Sequence, residues 1–593
     1  MRLPTFTARA SGVASDAPLG RASAGGATLV YEGRVDRLAA GDAHVHADPS
    51  VTPHVVASRL LERVAQRGVD AFAAVQGDFA ACLWSEGELT AFRSFTSPAQ
   101  VYWSDELVSN RLVEHARGGR GEPDPAFRLR FVLNVATLQH GFETTPIVGV
   151  RRLLPGHAVT LAPGYAPRLR QLVRRAYRYV LEPSQRRDDV APRLRELLTA
   201  CVEDRVKQTS RPVWCELSGG LDSSFVACLA ARARKDVCAY MFSRPDRPSH
   251  RSSEDYAREV ADRYGIALTV LAPDDLPRVD LTEAVYADEP SDFFWYGRLF
   301  GGGAARVVPE GATLLTGFGA DQLFLRSPRI LPYLLRRGQL RRFGDGLASV
   351  GKLLSRSRAS LAWQSALSAL PRRLHLGAAA RFARMPVNPF AADDVSMDRA
   401  LTGGVAWLRA PDGRDALALR EALEDEHVAA DARLVGDGIL CDDLGYLSAT
   451  RFVDGPYTDP RGVAVESPFC DLRLLDFVYD EVSLHLVHDF DARYKELLRA
   501  AQEGIVPETL RARQSDTFSF DASRDRLLAD NKHALRELFA SPDLDAWLDR
   551  AGAARALAEL ELGVQSSSTR ALLAAAGYLL WWRDFERAAR ALT

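Results

Sequence analysis

From residue 212 the chain alternates two patterns, and few folds accommodate that alternation. "PVWCEL" (212–217) reads as a strand, "SSFVACLAARAR" (223–234) as a helix, "VCAYMFS" (237–243) as a strand and "SEDYAREVADRYG" (253–265) as a helix. "ALTVLA" (267–272) is a third strand, a further helix is expected over 295–307, and "ATLLTG" (312–317) is a fourth strand. Strands separated by helices cannot form hairpins; they form βαβ units and a parallel sheet. Ahead of this region, residues 27–163 are strand-rich, with "ATLVYEG", "FAACLW" and "LTAFRSF" divided by polar or glycine turns. "RRLLPGHAVTLAPG" (151–164) reads as two more short strands around a turn. A charged stretch (168–189) closes in a linker at Pro183–Asp189, and "VAPRLRELLTACVEDRV" has helical apolar spacing. From about residue 325 helices dominate. At 593 residues one core is too few, so two units are expected, 1–185 and 186–593.

The break inside "CELSGGLDSSFVACLA" (215–230) carries the chemistry. A glycine turn between a strand and a helix start points backbone N–H groups and the positive end of the helix dipole at one spot, an anion site. Gly219 and Gly220 permit the close approach, and Ser218, Ser223 and Ser224 add hydroxyls. An isolated SGG is also read as a surface turn with a capping Ser or Asp. Here the turn ends a buried-looking strand and carries an acid with three hydroxyls, which favours the anion site. Neither GxxxxGK[ST] nor GxGxxG is present.

The string SGGLDSS resembles the pyrophosphate-binding motif of N-type ATP pyrophosphatases, which cleave ATP between the α and β phosphates. "LLTGFGADQLF" (314–324) supplies a second glycine turn and a second acid, Asp321. Together the two turns resemble the asparagine synthetase superfamily. "DEP" (288–290), "VESPFCDLRLLDFV" (465–478), "VQGDFAACLW" and "VRRLLPGH" extend the likeness over most of the chain. The resemblance implies an α/β protein: an N-terminal glutaminase-like (Ntn-type) α+β sandwich and a C-terminal ATP-pyrophosphatase domain with a parallel sheet and a large helical part. It implies ATP and Mg²⁺ as cofactors, with the metal on Asp222 and Asp321. The nucleotide cradle would be Leu217, Ser218, Gly219, Gly220, Asp222, Ser223 and Ser224, with Gly317 and Gly319.

Departures from the family narrow the activity. Glutamine-hydrolysing members begin, after Met1 removal, with a nucleophilic cysteine; position 2 here is Arg2, and the first cysteine, Cys82, lies in an apolar strand. The family's "RD" stretch appears as Arg93–Ser94. No ammonia is then expected, and the amine must belong to the substrate. β-Lactam synthetases and lasso peptide cyclases both fit, and a catalytically silent scaffold is the reading from another class. Phe318 stands where those enzymes carry a catalytic Tyr or Glu, so their general base is not inherited. The family lysine that follows "LPxxxxxR" is missing from "VPETLRARQSDTFSF" (506–520). Arg511 or Arg513 is expected to supply the cation, with Lys495 as a further candidate that also reads as a solvated helix lysine.

Length favours the lasso peptide cyclase, an AMP-forming ligase that joins a peptide's N-terminal amine to an Asp or Glu side chain. The implied partners are a precursor core peptide, a leader-binding protein and a leader peptidase. Between Arg326 and Arg373 basic residues including Arg329, Arg336, Arg337, Arg341, Arg342, Lys352, Arg356, Arg358 and Arg372 face one acid, Asp345, with Tyr333, Phe343 and Trp363 interleaved. That segment reads either as the solvated face of a helical insertion or as a wall for a peptide or partner. A net charge of −2 argues against a general nucleic-acid binder. No apolar run reaches membrane-spanning length, and seven scattered cysteines without a CxxC pair suggest a reducing cytoplasm. His44, His46, His485 and His488 read as surface or packing residues, not ligands.

Overall fold

A computed structural model describes residues 5–592, apart from 134–142, 370–406, 410–454, 514–526 and several shorter stretches. The N-terminal part runs β1 (Phe6–Arg9), β2 (Gly12–Ser15), β3 (Gly20–Ala24), β4 (Ala27–Arg37), β5 (Gln76–Ser85) and β6 (Glu88–Arg93). It continues with β7 (Tyr102–Trp103), β8 (Val108–Ser109), β9 (Arg151–Arg152), β10 (His157–Leu161) and β11 (Arg168–Gln171). These build two antiparallel sheets, ordered β2-β1-β8-β7-β9 and β11-β10-β6-β5-β4-β3. The continuous apolar run in β5 has a simple cause: both faces of its sheet are covered. Ala80 and Cys82 pack with Phe6, Val101 and Trp103 in the core between the two sheets. Phe79 and Ala81 face the other way, toward Val56, Leu60 and Val64 of helix α1 (Pro53–Arg67). Thr52 caps α1 by accepting from the Val55 amide, and Pro53 presets its first turn.

The expected alternation then appears as α3 (Arg187–Val206), β12 (Val213–Glu216), α4 (Leu221–Ala233), β13 (Val237–Phe242), α5 (Pro248–Tyr264), β14 (Ala267–Leu271) and β15 (Thr313–Leu315); α2 (Pro125–Val132) lies earlier, beside the five-stranded sheet. Together with β16 (Ala464–Glu466), strands β12 to β15 form a third sheet, parallel throughout and ordered β14-β13-β12-β15-β16. Its edge strand β16 comes from the largely helical C-terminal part. The chain walks outward from β12 to β14, then returns to lay β15 on the other side of β12. That reversal makes a switch point at the C-terminal ends of β12 and β15, the place where open α/β sheets bind their ligands.

Several expectations need adjustment. The linker expected to end at Asp189 already becomes α3 at Arg187. The two strands over 151–164 do not pair with each other: β9 joins β7, and β10 joins β6 and β11. The helix expected over 295–307 is present from Phe294 to Val307 and widens to a π turn at Gly297–Gly301. Glycines at both ends of that turn loosen the regular α pattern there. Among the described residues no helix is long and apolar enough to cross a membrane.

Candidate active site

Two glycine turns meet at the switch point. After β12 the Leu217 amide still donates to Tyr240 O at 2.9 Å, so the strand pairing extends to it and its side chain is buried. Gly219 follows at φ +72°, and a Cβ there would lie 1.9 Å from Ser253 O, so only glycine fits. Gly220 is the N-cap of α4. Ser223 Oγ accepts from the Ser218 amide at 3.1 Å and lies 2.9 Å from Ser218 Oγ, which ties the turn to the helix it precedes. Ser224 Oγ is buried with no hydrogen-bond partner among the described residues.

After β15, the turn at Gly317–Gly319 leads into the helix Ala320–Phe324. A Cβ at Gly317 would lie 2.6 Å from the Ser223 amide nitrogen, so the second turn rests directly on the start of α4. Asp222 and Asp321 thereby come together. Lys495 Nζ lies 2.6 Å from both Asp222 Oδ2 and Asp321 Oδ1, and Tyr494 OH donates to the same Asp321 oxygen at 2.7 Å.

Lys495 corrects one expectation. It is not a solvated helix lysine: its side chain is 1% exposed, and it precedes the helix Glu496–Ala501 in a left-handed conformation, φ +55°. A non-glycine residue held there costs on the order of 1–3 kcal/mol, offset by the two carboxylates it pairs with. The arginines divide. Arg513 donates to Gly219 O at 2.8 Å and stacks over Tyr256, whereas Arg511 pairs with Glu508. Lys495 therefore provides the cation that bridges the two acids.

Charge at the cluster follows from burial and pairing. Burial pushes the Asp222 carboxyl up to about 6; Asp321 adds to the rise, while Lys495 and Arg499 oppose it. Burial would also raise Asp321, but the Lys495 ammonium and the Tyr494 hydroxyl hold it below the ordinary carboxylate range. For Lys495, burial favours the neutral amine, yet Asp222 and Asp321 outweigh it and keep the ammonium charged well above neutral pH. Asp222 Oδ1 is buried and without a hydrogen-bond partner among the described residues. Two converging carboxylates with one such oxygen suit a hard divalent cation that completes its shell with phosphate and water.

The sequence reading missed the supports of Lys495. Arg499 donates from Nε to Tyr494 O at 2.7 Å, from Nη2 to Arg513 O at 2.9 Å, and from Nη1 to Arg511 O. Gln502 donates to Leu221 O at 3.0 Å. Lys495, Arg499 and Gln502 are spaced four and three apart, a polar stripe beside an apolar helix that could have signalled a buried network. The acids of "DEP" serve elsewhere: Asp288 accepts from Arg111 and the Leu112 amide, and Glu289 pairs with buried Arg152. His485 bonds Ser483 and Gln185, and His44 lies beside Asp36. Among the described residues no cluster of three or more His, Cys, Asp or Glu could hold a metal; His46, Arg326, Arg329, Arg356, Arg372 and Arg373 lie outside those residues.

A parallel sheet with a glycine turn and two acids at its switch point places the chain among the open α/β proteins, whose ligands bind at that point. The asparagine synthase family model matches residues 193–583, and the chain belongs to that family, whose members form amide bonds at the expense of ATP. A comparison with curated proteins finds no match. Among solved structures, the chain is similar to glutamine phosphoribosylpyrophosphate amidotransferase from B. subtilis, complexed with ADP and GMP, at 10% identity and a TM-score of 0.18. That likeness covers 51% of this chain and 64% of that one, so the chain spans less than two thirds of that relative.

Proposed function

We propose that this protein is an AMP-forming isopeptide ligase of the lasso peptide cyclase kind. It would join the N-terminal amine of a core peptide to an Asp or Glu side chain of the same peptide. The observation that carries this reading is the convergence of Asp222, Asp321 and Lys495 at two glycine turns. The N-terminal sheets add a second support. Their one cysteine, Cys82, is buried and its thiol is pushed up by that burial, so it is no nucleophile. The amine then comes from the substrate.

In this reading a carboxylate oxygen of the peptide attacks the α-phosphorus, the bond to the bridging oxygen breaks, and pyrophosphate leaves. The Gly219–Gly220 turn and the start of α4 receive the departing charge. Mg²⁺, held by Asp222 and Asp321, would screen the phosphate oxygens. Lys495 offsets one of the two carboxylate charges and supplies a proton donor beside them, with Tyr494 fixing Asp321. The peptide amine then attacks the acyl carbon, the acyl–oxygen bond to AMP breaks, and the amine's proton passes to water as AMP departs. With an unperturbed pKa of roughly 7.7–8.0, enough of an α-amine is neutral near pH 7 for Phe318 to be tolerated where relatives carry a base. Closing the ring is a positioning problem. The helices Leu340–Leu353 and Arg358–Ala369, with exposed Arg341 and Trp363, offer a basic wall for the peptide. A leader-binding protein and a leader peptidase would prepare that substrate.

The test is product analysis with ATP, Mg²⁺ and a leader-free core peptide. One AMP and one pyrophosphate should appear per peptide, which should become lighter by one water and lose its free N-terminus. ADP and phosphate as products, or no ATP turnover with any peptide, would overturn the proposal.

A further inference from the structure

A chain of buried charges leads from the N-terminal sandwich to the turn that carries Asp321. Arg34, in β4, pairs with Asp36 and donates from Nη2 to Asp78 Oδ2 at 2.6 Å on neighbouring β5. Its Nε lies 3.4 Å from Glu466 Oε2, at the end of β16. Arg205, on α3, donates to the same Glu466 oxygen at 3.1 Å and to Asp471 Oδ2 at 2.9 Å, and it also reaches Asp78 Oδ2 at 3.3 Å. The Arg205 and Asp471 side chains are almost wholly enclosed. Glu466 is thus gripped by the N-terminal sheet and by α3 together.

The backbone around Glu466 holds the active-site turn. Glu466 O accepts from the Thr316 amide at 3.0 Å, and Ser467 Oγ lies 2.9 Å from Thr316 Oγ1. That Thr316 oxygen accepts from the Phe318 amide at 3.4 Å, and Gly317 abuts Ser223 at the start of α4. β16 is three residues long and pairs with β15 alone, so its own ladder resists sliding weakly. Buried ion pairs resist it far more, because displacement would strand unpaired charges.

We propose that the N-terminal sandwich acts as a clamp on the nucleotide site, independently of any glutaminase chemistry. Arg34 and Asp78 are its positioning residues: they hold Glu466, and through Thr316 they set where Asp321 stands against Asp222. This rests on the reading of Asp222 and Asp321 as the acids that hold the nucleotide's cation. Calorimetric titration of the full chain with Mg·ATP separates the two ideas. Wild type should bind; if it does not, the reading of the site fails and the clamp falls with it. Given wild-type binding, Arg34→Met and Glu466→Gln should each weaken Kd at least fivefold in folded protein, and the double variant no further. A role confined to folding would lower Tm and leave Kd unmoved. Wild-type affinity in folded Arg34→Met, or additive losses in the double variant, would overturn the clamp. Arg34→Lys keeps the charge without the forked geometry and replaces Arg34→Met if that variant fails to fold: its Kd should be weaker than wild type, and wild-type affinity in folded Arg34→Lys would then overturn the clamp.

Discussion

Lys495 and the two acids form a closed electrostatic unit. Take away the ammonium and two carboxylates face each other in a partly buried site; take away one acid and the lysine loses half its compensation. Lys495→Met should lower the rate of ATP–pyrophosphate exchange at least about 100-fold, roughly 2.7 kcal/mol of barrier. A divalent cation should raise the Tm of that variant more than it raises that of wild type, because the acids have lost their resident counter-ion. Asp222→Asn should lose exchange to a similar degree with near-normal circular dichroism. Exchange within threefold of wild type in either variant would remove these residues from the chemistry. Both acids can be found in the sequence from the glycine turns that carry them. Lys495 can be named as a candidate, but its burial cannot be read there, since its partners lie 273 and 174 positions upstream.

At the scale of elements, the glycine turn and the short helical segment beside the five-stranded antiparallel sheet each make a separable claim. Gly219→Ala must force φ +72° on a residue with a Cβ and push that carbon into Ser253 O. It should cost about 1–3 kcal/mol or more and abolish nucleotide binding. Gly220→Ala has ordinary backbone angles, and its Cβ would approach only Ser218 Oγ, at 3.3 Å, so it should cost within about 1 kcal/mol. Urea titrations of the pair decide whether backbone geometry rules this turn. His115 lies in the 3₁₀ stretch Leu112–Gly119. Burial lowers its pKa to about 4, helped by Arg9 and opposed by a backbone hydrogen bond at Tyr102. The folded state therefore keeps this imidazole neutral while the unfolded chain, titrating near 6.5, takes up a proton. Its contribution is present above pH 6.5 and is lost as pH falls from there toward 4, on the order of 1–3 kcal/mol. His115→Gln should flatten that part of the stability profile, and an unchanged slope between pH 6.5 and 4 would refute the assignment.

Across the whole molecule, the C-terminal helix Ser567–Ala591 returns to the N-terminal half. Tyr578, Trp581 and Phe585 pack with Tyr102, Leu112, Phe127 and Phe131, and Trp581 Nε1 donates to Ala287 O at 2.9 Å. The C-terminal helix thus helps to cover the five-stranded antiparallel sheet, and Asp584 of the same helix accepts from Arg298 and the Val285 amide. Trp581→Ala removes a 2%-exposed indole from that seam and should cost about 3–5 kcal/mol. Denaturant unfolding followed from both halves should show the loss in the N-terminal sheets as well as in the helices. A loss confined to the helices would mean that the two halves are not coupled there.

The parallel sheet, its two glycine turns and their acids are local facts of the sequence. Strand and helix periods, glycine positions and short motifs are written within a few residues of one another, and backbone sterics and amphipathic burial translate them directly. The double coverage of β5 could be suspected from the apolar run in "FAACLW", though not which element covered which face. What the tertiary structure decided is pairing at long range. It placed "RRLLPGHAVTLAPG" in two sheets, recruited Ala464–Glu466 as the edge strand, and drew Lys495 between Asp222 and Asp321. It also turned Glu466 toward Arg34 and Arg205. Such contacts depend on which buried charge finds which partner across hundreds of residues, and a desolvated charge is stable only where the fold supplies its complement.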